Sequence, residues 1–222
     1  MGSAVLRLLD SDSDSGWERV KQASEADVVI DYSHPDATSP LLHTLLGQPI
    51  PTVIGTTGLR EEQGGLIRTL AERVPVVRAA NTGTGVNILR HLVQAAVAAV
   101  GPDWDVEIME MHHRKKVDAP SGTAWMLLET ASGGGRERAV PSRVGEPGAR
   151  TNHEIGIQTL RGGDVVGEHT VYLVGHGERI ELTHRAWDRD TFARGGLRAA
   201  RWLLASGRTP GLYSMDDVLG LS

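Results

Sequence analysis

Three short apolar runs, each separated from the next by a stretch with helical spacing, constrain this chain more than any other feature. Val28-Val29-Ile30, Thr52-Val53-Ile54 and Val74 to Arg78 are rich in β-branched residues and too short to be anything but strands. Between them, Leu41, Leu42, Leu45 and Leu46 follow Ser33-His34-Pro35, and Leu66, Ile67, Leu70 and Ala71 follow Gly58, all at helical spacing. Strands joined through helices pair in parallel, with the helices on the sheet faces. The first part of the chain is therefore predicted to be α/β with a doubly wound parallel sheet. Val28 to Ile30, flanked by Asp27 and Asp31, reads as a strand buried on both faces. Met1 to Leu9 reads as a short helix and Asp10 to Ser15 as a polar turn. Another short helix is expected near Trp17 to Ala23.

Ligands of such sheets bind beyond the carboxyl ends of the strands. Those ends are Asp31-Tyr32-Ser33, Gly55-Thr56-Thr57 and Ala79-Ala80-Asn81-Thr82, so these residues are candidate cofactor contacts. Gly55-Thr56-Thr57-Gly58 taken alone reads first as a plain tight turn.

After a helix over Gly85 to Val100 the pattern changes. Trp104, Val106 and Ile108 alternate with Asp105 and Glu107, the mark of a strand with one buried face. Glu154 to Leu160, His169 to Val174 and Arg179 to His184 are further strands, the last two joined as a hairpin by Gly175-His176-Gly177. A second domain with an open mixed or antiparallel sheet follows, with a boundary near Gly83. The Gly- and Pro-rich run from Gly133 to Arg150 reads as a mobile loop, and Thr191 to Ala205 as a closing helix.

The chemistry concentrates between Glu110 and Ala124, E-M-H-H-R-K-K-V-D-A-P-S-G-T-A. His112 and His113 lie at a strand end, Arg114 to Lys116 form a basic turn, and Pro120 prevents the strand from continuing. Ser121-Gly122-Thr123 then opens a helix whose free N–H groups suit a carboxylate or phosphate. An imidazole able to donate a proton at neutral pH, an ammonium and an anion cradle thus fall within one short run. Zinc is disfavoured, because adjacent strand residues face opposite ways and the chain has no H-E-x-x-H and no cysteine. The net charge of −5, with basic residues scattered outside 114–116, opposes a nucleic-acid footprint and fits a small anionic metabolite. No apolar run approaches a membrane span and no signal-peptide pattern opens the chain, so the expected location is the cytoplasm.

H-H-R-K-K-V-D-A-P-S-G-T-A resembles the signature of the 4-hydroxy-tetrahydrodipicolinate (dihydrodipicolinate) reductases of lysine and diaminopimelate biosynthesis. I-G-T-T-G (54–58), A-A-N (79–81), R-G-G-D-V-V-G-E-H-T (161–170) and E-R-I-E-L-T-H-R-A (178–186) extend the resemblance over nearly the whole chain. It implies a Rossmann-like dinucleotide domain over 1–83 and 193–222, and a substrate-binding and tetramerisation domain over 84–192. It implies NADPH or NADH as cofactor, held by Gly55, Thr56, Thr57, Ala79, Ala80, Asn81 and Thr82. It implies a cyclic dicarboxylate substrate, with His112 as proton donor, Lys116 assisting as donor or electrostatic partner, and His113, Ser121, Gly122 and Thr123 as substrate contacts. His169 and His184 are expected to be sheet or interface residues of a homotetramer.

Two departures stand out. Thr82-Gly83 occupies positions where relatives carry an aromatic residue or Met followed by Ser. Relatives also begin with a strand and a G-x-x-G-x-M-G turn, of which Met1-Gly2 resembles only the end, and a second strand has no counterpart between Leu9 and Trp17. The expectation is an incomplete sequence that binds NAD(P)H poorly. A start placed too late with residues lost between, a partial chain and a truncated, non-catalytic dicarboxylate-binding or oligomerising paralogue are the competing explanations.

Overall fold

The computed structural model describes residues 1–11, 16–135 and 138–221. They form two compact units, Met1–Asn87 with Arg189–Ser222, and Ile88–Asp188.

In the first unit, α1 (Gly2–Ser11), β1 (Val29–Asp31), α2 (Pro35–Gly47), β2 (Thr52–Ile54), α3 (Glu61–Ala71) and β3 (Pro75–Arg78) alternate. Near the C-terminus α6 (Asp190–Leu204), β9 (Gly211–Tyr213) and α7 (Met215–Leu219) complete it. The strands run parallel in the order β1-β2-β3-β9. Two apolar layers enclose them. Ile54 and Val76 pack with Leu42, Leu45, Ile67 and Leu70 from α2 and α3. Val53 and Val77, of opposite parity, pack with Ala199, Ala200, Leu203, Met215 and Val218 from α6 and α7. The sheet is therefore doubly wound, as the strand–helix alternation predicts. Ala4 and Val5 of α1 pack against Ala193 of α6.

Several local expectations are corrected. No helix covers Trp17 to Ala23: Gly16 to Gln22 is irregular and only Ala23–Glu25 makes a single 3₁₀ turn. Asp10 and Ser11 belong to α1 rather than to a turn, and 12–15 lie outside the described residues. β1 is buried only at Asp31, because Val29 and Ile30 lie at a sheet edge and are half-exposed. β9 was not anticipated; three residues carry no period of their own, and pairing with β3 makes them a strand.

The second unit contains most of α4 (Thr84–Val100), then β4 (Asp105–His112), α5 (Gly122–Ser132), β5 (Ala139–Pro141), β6 (Ile155–Arg161), β7 (Gly167–Val174) and β8 (Arg179–Ala186). Its sheet has the order β5-β6-β4-β7-β8, with β5, β6 and β4 parallel and β7 and β8 antiparallel. One face is covered by Leu89 and Val93 of α4 and Ala124, Leu127 and Leu128 of α5, over Val106, Ile108, Ile155, Ile157, Val171 and Leu173. The opposite face is open and exposes Leu160 and Val174. The run from Gly133 to Arg150, expected to be loop throughout, contains a strand, and 136–137 within it lie outside the described residues. β5 pairs with β6, and Arg150 donates to Asp105, Glu107 and the carbonyls of Val106 and Glu154, which ties these two parts of the run to the sheet.

Candidate active site

Glu110 and His112 stand two residues apart on β4, on the face covered by α5. Cross-strand register completes the site. Thr159 and Arg161 of β6 lie opposite Glu110 and His112, and His169 of β7 lies opposite Glu110 on the other side. Glu110 is wholly buried and accepts from five donors. Oε2 receives His112 Nδ1 at 2.6 Å and Arg161 Nη1 at 2.8 Å. Oε1 receives Arg161 Nη2 at 2.9 Å, the Ser121 amide at 3.1 Å and Thr159 Oγ1 at 3.4 Å. Burial alone would raise its pKa, but the bonds from His112 and Arg161 outweigh it and hold the carboxyl down at about 2.

The other side of the His112 ring faces β7. A Cβ at Gly167 would come within 2.9 Å of Nε2, so glycine leaves the imidazole room there. His169 meets His112 edge-on, with centroids 5.1 Å apart, and its Nε2 lies 3.1 Å from Ser121 Oγ. Burial first, and then the charge of His112, lower the His169 pKa to about 3, so this ring is neutral. Ser121 caps α5 through Oγ, which accepts the Ala124 amide at 3.2 Å. Gly122, exposed, and Thr123, half-exposed, supply the first turn of the helix.

Between β4 and α5 the chain turns tightly, with the Lys116 amide donating to His113 O at 3.0 Å. Lys116 Nζ pairs with Asp118 Oδ1 at 2.8 Å, and its side chain is 21% exposed, so it does not extend into bulk solvent. Its charge also helps to depress the His169 pKa. Arg161 Nη2 donates to Asp118 O at 2.6 Å and so ties the turn to the same cluster. His113 is half-exposed beyond the strand end. The site thus joins His112, Lys116, Ser121 and the start of α5. Among the described residues no group of His, Asp or Glu side chains is placed to hold a metal ion.

In the first unit, a cleft of about 390 Å³ lies at the carboxyl ends of the parallel strands. Gly55, Thr56, Thr57, Ala80, Asn81 and Thr82 line it with Tyr32 and Ser33. Ala79 is not part of this lining; its amide donates to Ile54 O and continues the β2–β3 pairing. Tyr32 is the buttress behind the cleft. Its ring fills the space that side chains at Gly55 or Gly196 would take. Its hydroxyl meets Thr82 Oγ1 at 2.5 Å, and Thr82 donates to Phe192 O at 2.7 Å. Burial raises the Tyr32 pKa, only partly offset by Thr82. The Thr82 hydroxyl, the departure seen in the sequence, is therefore engaged by Tyr32 and α6. A cleft of this size and position, edged by turn amides and hydroxyls, fits a dinucleotide or part of one.

Two family models match in succession: the N-terminus of dihydrodipicolinate reductase over residues 1–82 and its C-terminus over 85–219. The chain belongs to the dihydrodipicolinate reductase family. A 4-hydroxy-tetrahydrodipicolinate reductase of Myxococcus xanthus (strain DK1622) is 48% identical over 223 residues, covering 99% of this chain and 80% of the relative. One from Syntrophotalea carbinolica is 50% identical over 199 residues, 88% of this chain and 74% of the relative. Among solved structures, dipicolinate-bound dihydrodipicolinate reductase from Paenisporosarcina sp. TG-14 aligns with a TM-score of 0.69 at 26% identity. It covers 86% of this chain and 72% of that one.

Three residues of this candidate site escaped the sequence reading. Glu110 shares parity with Ile108, which marks it as a buried carboxylate in need of donors, and that signal was available. Arg161 opens the R-G-G-D motif, but only strand register brings it to Glu110. His169, expected as a sheet or interface residue, is a sheet residue whose ring packs on His112 and bonds to Ser121.

Proposed function

We propose that this chain is a 4-hydroxy-tetrahydrodipicolinate reductase, using NADPH or NADH to reduce a cyclic imine dicarboxylate in lysine and diaminopimelate biosynthesis. The observation that carries the reading is His112, oriented through Nδ1 by Glu110, beside the amino end of α5. When bound, the nicotinamide supplies the hydride. His112, protonated on both nitrogens with Nδ1–H held by Glu110, delivers the accompanying proton from Nε2 and is left as the neutral Nδ1–H ring. The Lys116 ammonium offsets substrate charge, and the first-turn amides at Gly122 and Thr123, with His113, hold a carboxylate at the helix end. Ser121 keeps that turn in place through its cap. Gly55, Thr56, Thr57, Ala80, Asn81 and Thr82 hold the cofactor in the cleft of the first unit, which serves as the dinucleotide-binding domain. The open sheet face of the second unit, with Leu160 and Val174 exposed, suits a homotetramer that hides it, and the enzyme works in the cytoplasm.

Substrate-dependent oxidation of NADPH and NADH by the purified chain tests the reading. His112→Gln and Lys116→Ala should each lower turnover by about a hundredfold or more. Parental turnover in either variant removes the role assigned to it. Calorimetry with pyridine-2,6-dicarboxylate, with and without NADH, separates a reductase from a non-catalytic dicarboxylate binder. Coupled binding supports the enzyme, whereas indifference to nucleotide overturns it.

A further inference from the structure

We propose that Glu110, clamped by Arg161, is the positioning residue that sets the tautomer of His112 and holds the first turn of α5 in the same frame. The inference rests on the reductase reading and adds a residue to it that never meets the substrate.

An ionised carboxylate only accepts hydrogen bonds. Every group that faces Glu110 must therefore bring a proton: His112 Nδ1, Ser121 N, Thr159 Oγ1 and both Arg161 terminal nitrogens. His112 consequently carries its fixed proton on Nδ1. Nε2 is the only position left for proton exchange, and it is the nitrogen for which Gly167 leaves room. Arg161 makes this arrangement tenable, because a buried carboxylate without a matching cation is strongly disfavoured. Its two parallel bonds to the two oxygens fix the plane of the carboxylate. Oε1 meanwhile receives the Ser121 amide, the residue that caps α5. One buried group thus fixes both the direction of the proton donor and the helix end proposed to hold the substrate carboxylate. Glu110 is not itself an acid catalyst: it is wholly buried and held ionised by the clamp.

The experiment uses ¹⁵N-histidine spectra of the full chain, alone and as Glu110→Gln. In the parent, neutral His112 should show a protonated Nδ1 and a bare Nε2. In Glu110→Gln the side-chain amide can still accept from Ser121 and Arg161, but it now donates toward Nδ1. His112 should then switch to the Nε2–H tautomer. Turnover should fall about 10²- to 10⁴-fold, because a ring bare at Nδ1 could release its Nε2 proton only as an imidazolate, whereas the parent donates from an imidazolium that the Glu110 carboxylate stabilises; substrate KM should change less than about threefold. A purely packing role for Glu110 would not switch the tautomer. A parent spectrum with Nε2–H and bare Nδ1, or parental turnover in Glu110→Gln, overturns the proposal while leaving the reductase reading intact. If the parent lacks reductase activity, that reading falls, and the resting spectrum still decides the tautomer. The parent spectrum also decides it if Glu110→Gln does not fold.

Discussion

Gly167→Ala perturbs the proposed proton donor from the side opposite Glu110, and its consequence can be worked from distances. The added methyl would lie 2.9 Å from His112 Nε2 and 3.3 Å from Cδ2, whereas ordinary contact begins at 3.4 Å. The ring must therefore retreat by about half an ångström, or β7 must move by as much. The ring cannot swing freely, because Nδ1 is held 2.6 Å from Glu110 and His169 packs against it. Overpacking of this size should cost about 1 kcal/mol of stability. A misplacement of about 1 Å at a reacting group costs about a hundredfold in rate, so half of that predicts a loss of about tenfold in kcat. KM for the dicarboxylate should change little, since the first turn of α5 is untouched. Gly162→Ala is the control: nothing lies within 4 Å of a Cβ there, and kcat should stay at the parental value. The assay is steady-state oxidation of NADPH, with thermal melting to confirm folding. Equal kcat for Gly167→Ala and the parent would refute the reasoning, because it would mean that Nε2 does not need the space that glycine leaves.

Two further outcomes follow from the electrostatics and the cofactor cleft. The Glu110 pKa is depressed in the folded state, so its stabilising contribution is complete above the ordinary carboxylate range. That contribution is lost as pH falls from about 4.5 toward about 2, and amounts to about 3 kcal/mol over the window. Urea unfolding should therefore lose stability with acid more steeply in the parent than in Glu110→Gln, and parallel pH profiles would contradict the assignment. Tyr32→Phe keeps the ring between Gly55 and Gly196 but removes the hydroxyl, which bonds to Thr82 at 2.5 Å and to Phe192 O at 3.2 Å. With the shorter, part-buried Thr82 bond worth about 1 kcal/mol, NADPH affinity should weaken by about fivefold in a fluorescence titration. An unchanged Kd would show that the Tyr32–Thr82 bond does not shape the cleft.

The legible parts of the fold are those whose residues carry their own period. β2 lies at the expected residues, and α2 and α3 bury the leucines and isoleucine chosen from spacing: Leu42, Leu45, Ile67 and Leu70. The features that were missed depend on neighbours. β5 and β9 have three residues each and are strands because β6 and β3 offer them edges. The stretch near Trp17 has the composition of a helix, yet Trp17 packs beside Tyr213, Met215 and the α6 side chains as irregular chain. Packing there outweighs a weak local propensity. Gly195 is a similar case. Inside a helical pattern it reads as a flaw, but a Cβ there would lie 1.8 Å from Thr82 O, so glycine is what lets α6 approach the turn beside the cleft.

The site divides along the same line. Contiguous residues announce themselves: His112, Lys116 and Ser121 lie within one short run, and the turn between β4 and α5 brings them together without help from the rest of the chain. Parity along β4 goes one step further, because Val106, Ile108, Glu110 and His112 all alternate onto the buried face. A carboxylate in that series requires a cation, and the sequence offers many arginines without ranking them. Register makes the choice. With β4 and β6 parallel and His112 opposite Arg161, the guanidinium falls on the face that holds Glu110. A slip of one residue would turn Arg161 to the open face and leave Glu110 buried without its charge partner. The ion pair therefore penalises the wrong pairing of β4 with β6 as strongly as it orients His112 in the right one.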